Sequence, residues 1–182
     1  HFTNCHSYSF IRHVLKGRLS AAWDKAMYHF SMHKPESMVW FMEEDVYCSG
    51  YRDIEALNDR YGGADLAIKT AHQLPSWHHW PGETDNRLFS SALGIKRLPR
   101  ERYYASMHCM VGLSSKMLME VAKVARTCKR LFHLEYLLPT LARYRGLKTL
   151  HPREFRGIVW RRDWKEHEIT AGTFYHPVKD IG

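Results

Sequence analysis

Met38-Val39-Trp40-Phe41-Met42-Glu43-Glu44-Asp45 runs from five consecutive apolar side chains straight into three carboxylates. A strand-length segment that is apolar at every position fits a strand covered on both faces, as in a mostly parallel sheet. Upstream, Leu19, Ala22, Trp23, Ala26, Met27 and Phe30 recur at helical spacing and define one apolar helix face over about residues 17 to 32. Pro35-Glu36-Ser37 stops that helix. Helix, tight turn and buried strand in this order predict an α/β layer fold, an open and mostly parallel sheet flanked by helices.

Downstream, Asp53 is a candidate N-cap for a short helix through Ile54 and Leu57, ended by Gly62-Gly63. Ala64 to Lys69 reads as a second strand. A loop rich in His, Trp, Pro and Gly is expected over about residues 71 to 100, a length often tied to function. Ser106 to Leu113 reads as a third strand. Ser114 or Ser115 caps the next helix, whose apolar face is Leu118, Val121, Ala122 and Ala125. A last helix uses Leu138, Leu141 and Ala142 and closes at Gly146. Leu147–Leu150 and Gly157–Trp160 are short strand candidates.

The chain of 182 residues suits one domain with one core, so residues 1–182 are read as a single unit. Its 45% apolar and 25% charged content is that of a globular protein and excludes a disordered one. No apolar run has the length needed to cross a bilayer. The net charge of +8 attracts phosphates of any kind, and equally serves as a solubilising surface. None of Cys5, Cys48, Cys109 and Cys128 stands in a C-x-x-C pair, which argues against structural zinc. Disulfide pairing stays open, and Cys109, in an apolar strand, reads as a buried free thiol.

Three carboxylates at the mouth of a buried strand repel one another and lose hydration. A hard divalent cation, Mg2+ or Mn2+, relieves both problems through oxygen ligands. In open α/β sheets ligands bind at the carboxyl ends of strands, so position and chemistry agree. Glu135 has its own reading. Pro139 cannot bond back to the Glu135 carbonyl and is best tolerated in a first turn, which predicts a helix beginning near Tyr136. Glu135 then sits at the helix N-terminus, where negative charge is favoured, either as a capping acid or as a general base.

The stretch Val39 to Tyr47 resembles the D-x-D segment of GT-A-type, nucleotide-sugar-dependent glycosyltransferases. Met110-Val111-Gly112-Leu113-Ser114 is similar to the family's acceptor-side strand and turn. Leu131 to Leu141 resembles its later acidic motif, and Tyr175-His176-Pro177-Val178-Lys179 its C-terminal stretch. The resemblance covers about residues 20 to 179 as an ordered set. It implies a GT-A-like fold, either as a fragment lacking N-terminal strands or as a compact and divergent form. It also implies Asp45, Glu43 and His176 as ligands of Mn2+ or Mg2+, Glu44 and Lys179 at the donor, Gly112 at the acceptor, and Glu135 as base. The implied partners are a nucleoside-diphosphate sugar and a glycan or other hydroxyl acceptor, with no nucleic acid. A secretory-lumen location is implied where an anchor precedes the chain, and a cytoplasmic one otherwise.

His72, Trp77, His78, His79 and Trp80 crowd one segment. Aromatic rings stack on sugar faces, so Trp77, His79 and Trp80 are candidate acceptor contacts; a loop pinned by buried Trp explains them equally. Two other classes compete. A metal-dependent phosphoesterase or nuclease would use the same acids but needs a denser Asp/His set. A non-catalytic carbohydrate- or nucleic-acid-binding module would keep the aromatics without needing Asp45 or Glu135.

Overall fold

The computed structural model describes residues 22–73, 81–160, 162 and 164–178. Its centre is a four-stranded mixed sheet of β1 (Val39–Met42), β2 (Leu66–Ala67), β5 (Met110–Leu113) and β6 (Thr149–Leu150), in the order β1-β5-β2-β6. Both β1 and β2 run antiparallel to β5; only β2 and β6 are parallel. The architecture is thus α/β, but the expectation of a mostly parallel sheet is not met. An apolar run reports that both faces of a strand are covered and says nothing about its direction.

The register explains the apolar run. Phe41 pairs with Val111 and Leu66 with Leu113, and these four side chains enter the large core on one face. Trp40 and Ala67 both pair with Gly112, and they face smaller clusters on the other side with Met38, Ala64 and Met110. That alternation is the two-residue period of a strand. β1 nevertheless closes the sheet on one side among the described residues, and Met42 is 39% exposed.

Four helices supply the large core: α1 (Ala22–His33), α3 (Glu83–Leu93), α4 (Ser115–Cys128) and α5 (Leu134–Tyr144). α4 packs against each of the other three. Ser114 caps α4, its Oγ accepting from the Met117 N–H at 3.1 Å, and Leu118, Val121, Ala122 and Ala125 are buried as their spacing requires. The helix predicted after Asp53 is α2 (Tyr51–Tyr61), where Asp53 accepts from the Ser49 N–H instead of capping. β2 is shorter than predicted.

The expected loop over 71–100 is corrected. It contains α3, preceded by β3 (His72–Gln73), which pairs with β4 (Tyr104–Ala105). α3 buries Asn86 and Ser90 beside Phe89 and Leu93. The Ser90 hydroxyl donates to Asn86 Oδ1 and accepts from the Leu98 N–H, while the Asn86 amide donates to the Leu98 carbonyl. Burial of these small polar residues hid the helical stripe from a reading based on apolar spacing.

Opposite the large core, β7 (Gly157–Ile158) and β8 (Tyr175–His176) form a parallel pair. Their neighbours Phe155, Ile158 and Phe174 pack with Leu57 and Met110.

Candidate functional site

The acidic segment leaves β1 as a tight turn, with the Val46 N–H donating to the Glu43 carbonyl. This turn is held from two sides. The Glu43 N–H donates to the Cys109 carbonyl at 2.9 Å, which adds one rung to the β1–β5 ladder and sets Glu43 beside Cys109. On the other side Tyr47 and Tyr175 form an antiparallel bridge, and the Val178 N–H donates to the Asp45 carbonyl at 3.0 Å. The backbone therefore brings His176 to the acids.

The His176 Nε2 lies 3.3 Å from Asp45 Oδ1 and 3.4 Å from Glu43 Oε2. Its Nδ1 faces the Val159 carbonyl at 3.4 Å. A carbonyl only accepts, so Nδ1 carries hydrogen in that contact and Nε2 is turned toward the carboxylates, the arrangement usual for metal-binding histidines. The His176 side chain is 10% exposed.

Glu135 occupies the first turn of α5 and lines a cleft of about 400 Å³ together with Glu43, Cys109, His108, His133 and His176. The helix starts two residues earlier than predicted, so Pro139 lies beyond its first turn. The Glu135 carbonyl that Pro139 cannot reach accepts instead from the Ser106 N–H at 2.9 Å. The Glu135 carboxylate stands 3.6 Å from His133 Nδ1. A second cleft, of about 660 Å³, adjoins the first at Glu43 and Trp23 and is lined by Phe30, Phe41, Glu44 and Asp45.

Electrostatics reflect this crowding. Burial pushes the Cys109 thiol far above its ordinary range, and the charges of Glu43, Glu135 and Asp45 add to the effect. Of these, Glu43 stands nearest, within 4.8 Å of the sulfur. Burial also lowers the His108 imidazole to about 3, with His133 contributing and the Leu134 backbone only partly opposing.

Of the residues expected from sequence, Glu43, Asp45, His176 and Glu135 share one neighbourhood. Glu44 is exposed in the larger cleft. Gly112 is corrected: it is buried in β5, and a Cβ there would collide with the Met38 sulfur and the Trp40 ring. Close packing, not contact with an acceptor, accounts for this glycine. Trp77, His79, Trp80 and Lys179 lie outside the described residues.

Sequence reasoning missed His108, Cys109, His133 and Asp24 as cleft residues. Asp24 carried a signal, an acid one residue after Trp23 and three before Met27, and it is 1% exposed. His108 and Cys109 carried none, because only the pairing of Glu43 with Cys109 puts them beside the acids.

Comparison with known proteins finds no matching family model, no similar curated protein and no similar solved structure. No helix among the described residues is long and apolar enough to cross a membrane.

Proposed function

We propose that this chain is a metal-dependent glycosyltransferase of the GT-A type, moving a sugar from a nucleoside diphosphate to a hydroxyl acceptor with inversion. The observation that carries this reading is the convergence of Glu43, Asp45 and His176 in a neighbourhood that also contains Glu135.

The donor set fits a divalent cation. Two carboxylates and an oriented, buried imidazole offer oxygen and nitrogen ligands of the kind Mn2+ accepts, and Mg2+ is the harder alternative. When bound there, the cation supplies positive charge to a leaving diphosphate.

The chain's own residues divide the remaining work. The larger cleft, walled by Trp23, Phe30 and Phe41, suits the base and ribose of the donor, with Glu44 at its rim. The diphosphate then falls at the junction of the two clefts, beside Glu43 and Asp45. The smaller cleft receives the acceptor, whose hydroxyl proton passes to a Glu135 carboxylate oxygen. His133 steadies that carboxylate from 3.6 Å. Trp23 and Trp160 give the acceptor cleft two aromatic surfaces suited to a sugar face. A single base facing the leaving group corresponds to inversion. Lys179, Trp77, His79 and Trp80 keep the donor and acceptor roles assigned by resemblance.

The test is thermal stabilisation by Mn2+, by UDP or GDP, and by both together, with single-stranded nucleic acid in parallel. Stabilisation that needs metal and nucleotide together is expected. Stabilisation by nucleic acid alone rejects the transferase in favour of a binding module.

A further inference from the structure

One donor in the cleft has no part in the transferase reading. The Cys109 thiol is buried, and its sulfur, a Glu43 carboxylate oxygen and a His176 ring nitrogen all lie within 4.8 Å of one another. Ligand atoms sharing one tetrahedral ion stand about 3.3–3.8 Å apart, given bond lengths of about 2.0–2.3 Å. Glu43 Oε2 and His176 Nε2, 3.4 Å apart, already stand within that range. Asp45 Oδ1 stands 3.3 Å from the same imidazole nitrogen but outside the group of three whose donor atoms are mutually close.

A second observation points to a polar occupant. His108 precedes Cys109, lines the same cleft and is 5% exposed, and apart from a contact with the Leu134 backbone neither ring nitrogen has a hydrogen-bond partner among the described residues. Buried polar groups are nearly always paired, so this imidazole is placed for a ligand that enters the cleft.

We propose that Cys109 is a metal ligand, and that Glu43, Cys109 and His176 form a mixed nitrogen, sulfur and oxygen site, with Asp45 at its edge, selecting a thiophilic divalent cation of the Zn2+ or Co2+ kind over Mg2+. This rests on the previous reading only in taking the acidic turn to hold a cation. The selectivity follows from the donors. Mg2+ demands six hard oxygen ligands in near-ideal octahedral geometry and retains water. Thiolate and imidazole suit Zn2+ and Co2+, which accept four ligands readily. The Glu43 carboxylate beside the sulfur draws a cation to it, and a coordinating thiol gives up its proton.

The experiment is titration of the full chain with Co2+ under reducing conditions, followed by absorption spectroscopy. Expected are intense d–d bands of a four-coordinate ion and a thiolate-to-cobalt charge-transfer band in the near ultraviolet. Equimolar Zn2+ abolishes both, and a large excess of Mg2+ leaves both. Cys109→Ser removes the charge-transfer band and weakens Co2+ binding by at least about tenfold. Cys48→Ser and Cys128→Ser leave the band intact. Glu43→Gln, at an exposed side chain, weakens Co2+ binding and serves as a second variant if Cys109→Ser does not fold. Co2+ uptake without a thiolate band, or a band that survives Cys109→Ser, overturns the inference and leaves the transferase reading standing. A thiolate band in a protein that never transfers sugar supports the site and removes the transferase. No uptake at all overturns both.

Discussion

The Ser106 N–H donates to the Glu135 carbonyl at 2.9 Å, filling the acceptor that Pro139 leaves without a helical partner. A proline beyond the first turn usually weakens a helix. Here the freed carbonyl joins the start of α5 to the segment that leads through His108 and Cys109 into β5. Glu135 and Cys109 are thereby held on one backbone frame.

Glu135→Gln keeps this backbone contact and removes only the carboxylate proposed as the base. Sugar transfer is expected to fall by about 10²–10⁴-fold, the usual contribution of a positioned general base. Stabilisation by Mn2+ and nucleotide is expected to stay at the level of the parent chain. Full transfer activity would show that the proton goes elsewhere.

Asp45→Asn tests the acidic turn. Even an outer partner of a metal site is worth about 10–100-fold in affinity, so calorimetric titration should show Mn2+ binding weakened by at least about tenfold. The metal-free protein should lose little stability, since one of several crowded negative charges is gone. Unchanged Mn2+ affinity would place the cation away from Asp45.

His108 makes the stability of the metal-free protein depend on pH. Its folded value of about 3 lies below the ordinary histidine value of 6.5. Between these limits the unfolded chain binds a proton that the folded chain refuses. The stabilisation is therefore complete above about pH 6.5 and is lost as pH falls toward 3. About 2 kcal/mol should disappear between pH 7 and pH 5 on this account. Urea unfolding of the parent chain and His108→Gln at both pH values checks it; equal slopes in the two proteins would assign the acid sensitivity to other groups.

Gly112→Ala forces a methyl group into the Met38 and Trp40 side chains across the β1–β5 pair. Overpacking of this kind costs about 1–3 kcal/mol. Chemical unfolding should show that loss, and a variant within about 0.5 kcal/mol of the parent would mean that the space adjusts freely.

Phe89 is fully buried, with its ring 5.3 Å from Phe132 and 6.0 Å from Tyr103. Phe89→Ala should destabilise the chain by about 3–5 kcal/mol, read by the same unfolding experiment. A small change would indicate that α3 contributes little to the large core.

Local signals were legible wherever one residue type has one structural use. The Ser114 cap and the stripe of α4 follow from spacing alone. Gly146 ends α5 at φ +61°, a conformation glycine adopts without strain. The meeting of an apolar strand with carboxylates was legible too. Strand direction was not, because Phe41 and Trp40 serve opposite faces whichever way the neighbours run. α3 escaped notice because Asn86 and Ser90 are buried through hydrogen bonds rather than apolar contact. Cys109 sat in plain view as a strand thiol, and its relation to Glu43 exists only through cross-strand register.

The bridge between Tyr47 and Tyr175 carries a temporal consequence. Glu43, Asp45 and Cys109 leave the ribosome long before His176, since synthesis runs from the N-terminus. A nascent chain that has completed β5 already presents two carboxylates and a thiol, with His176 still to come. Under the proposed metal site, loading is thus a late event that waits for β8 to dock, and an ion captured earlier meets an incomplete grip.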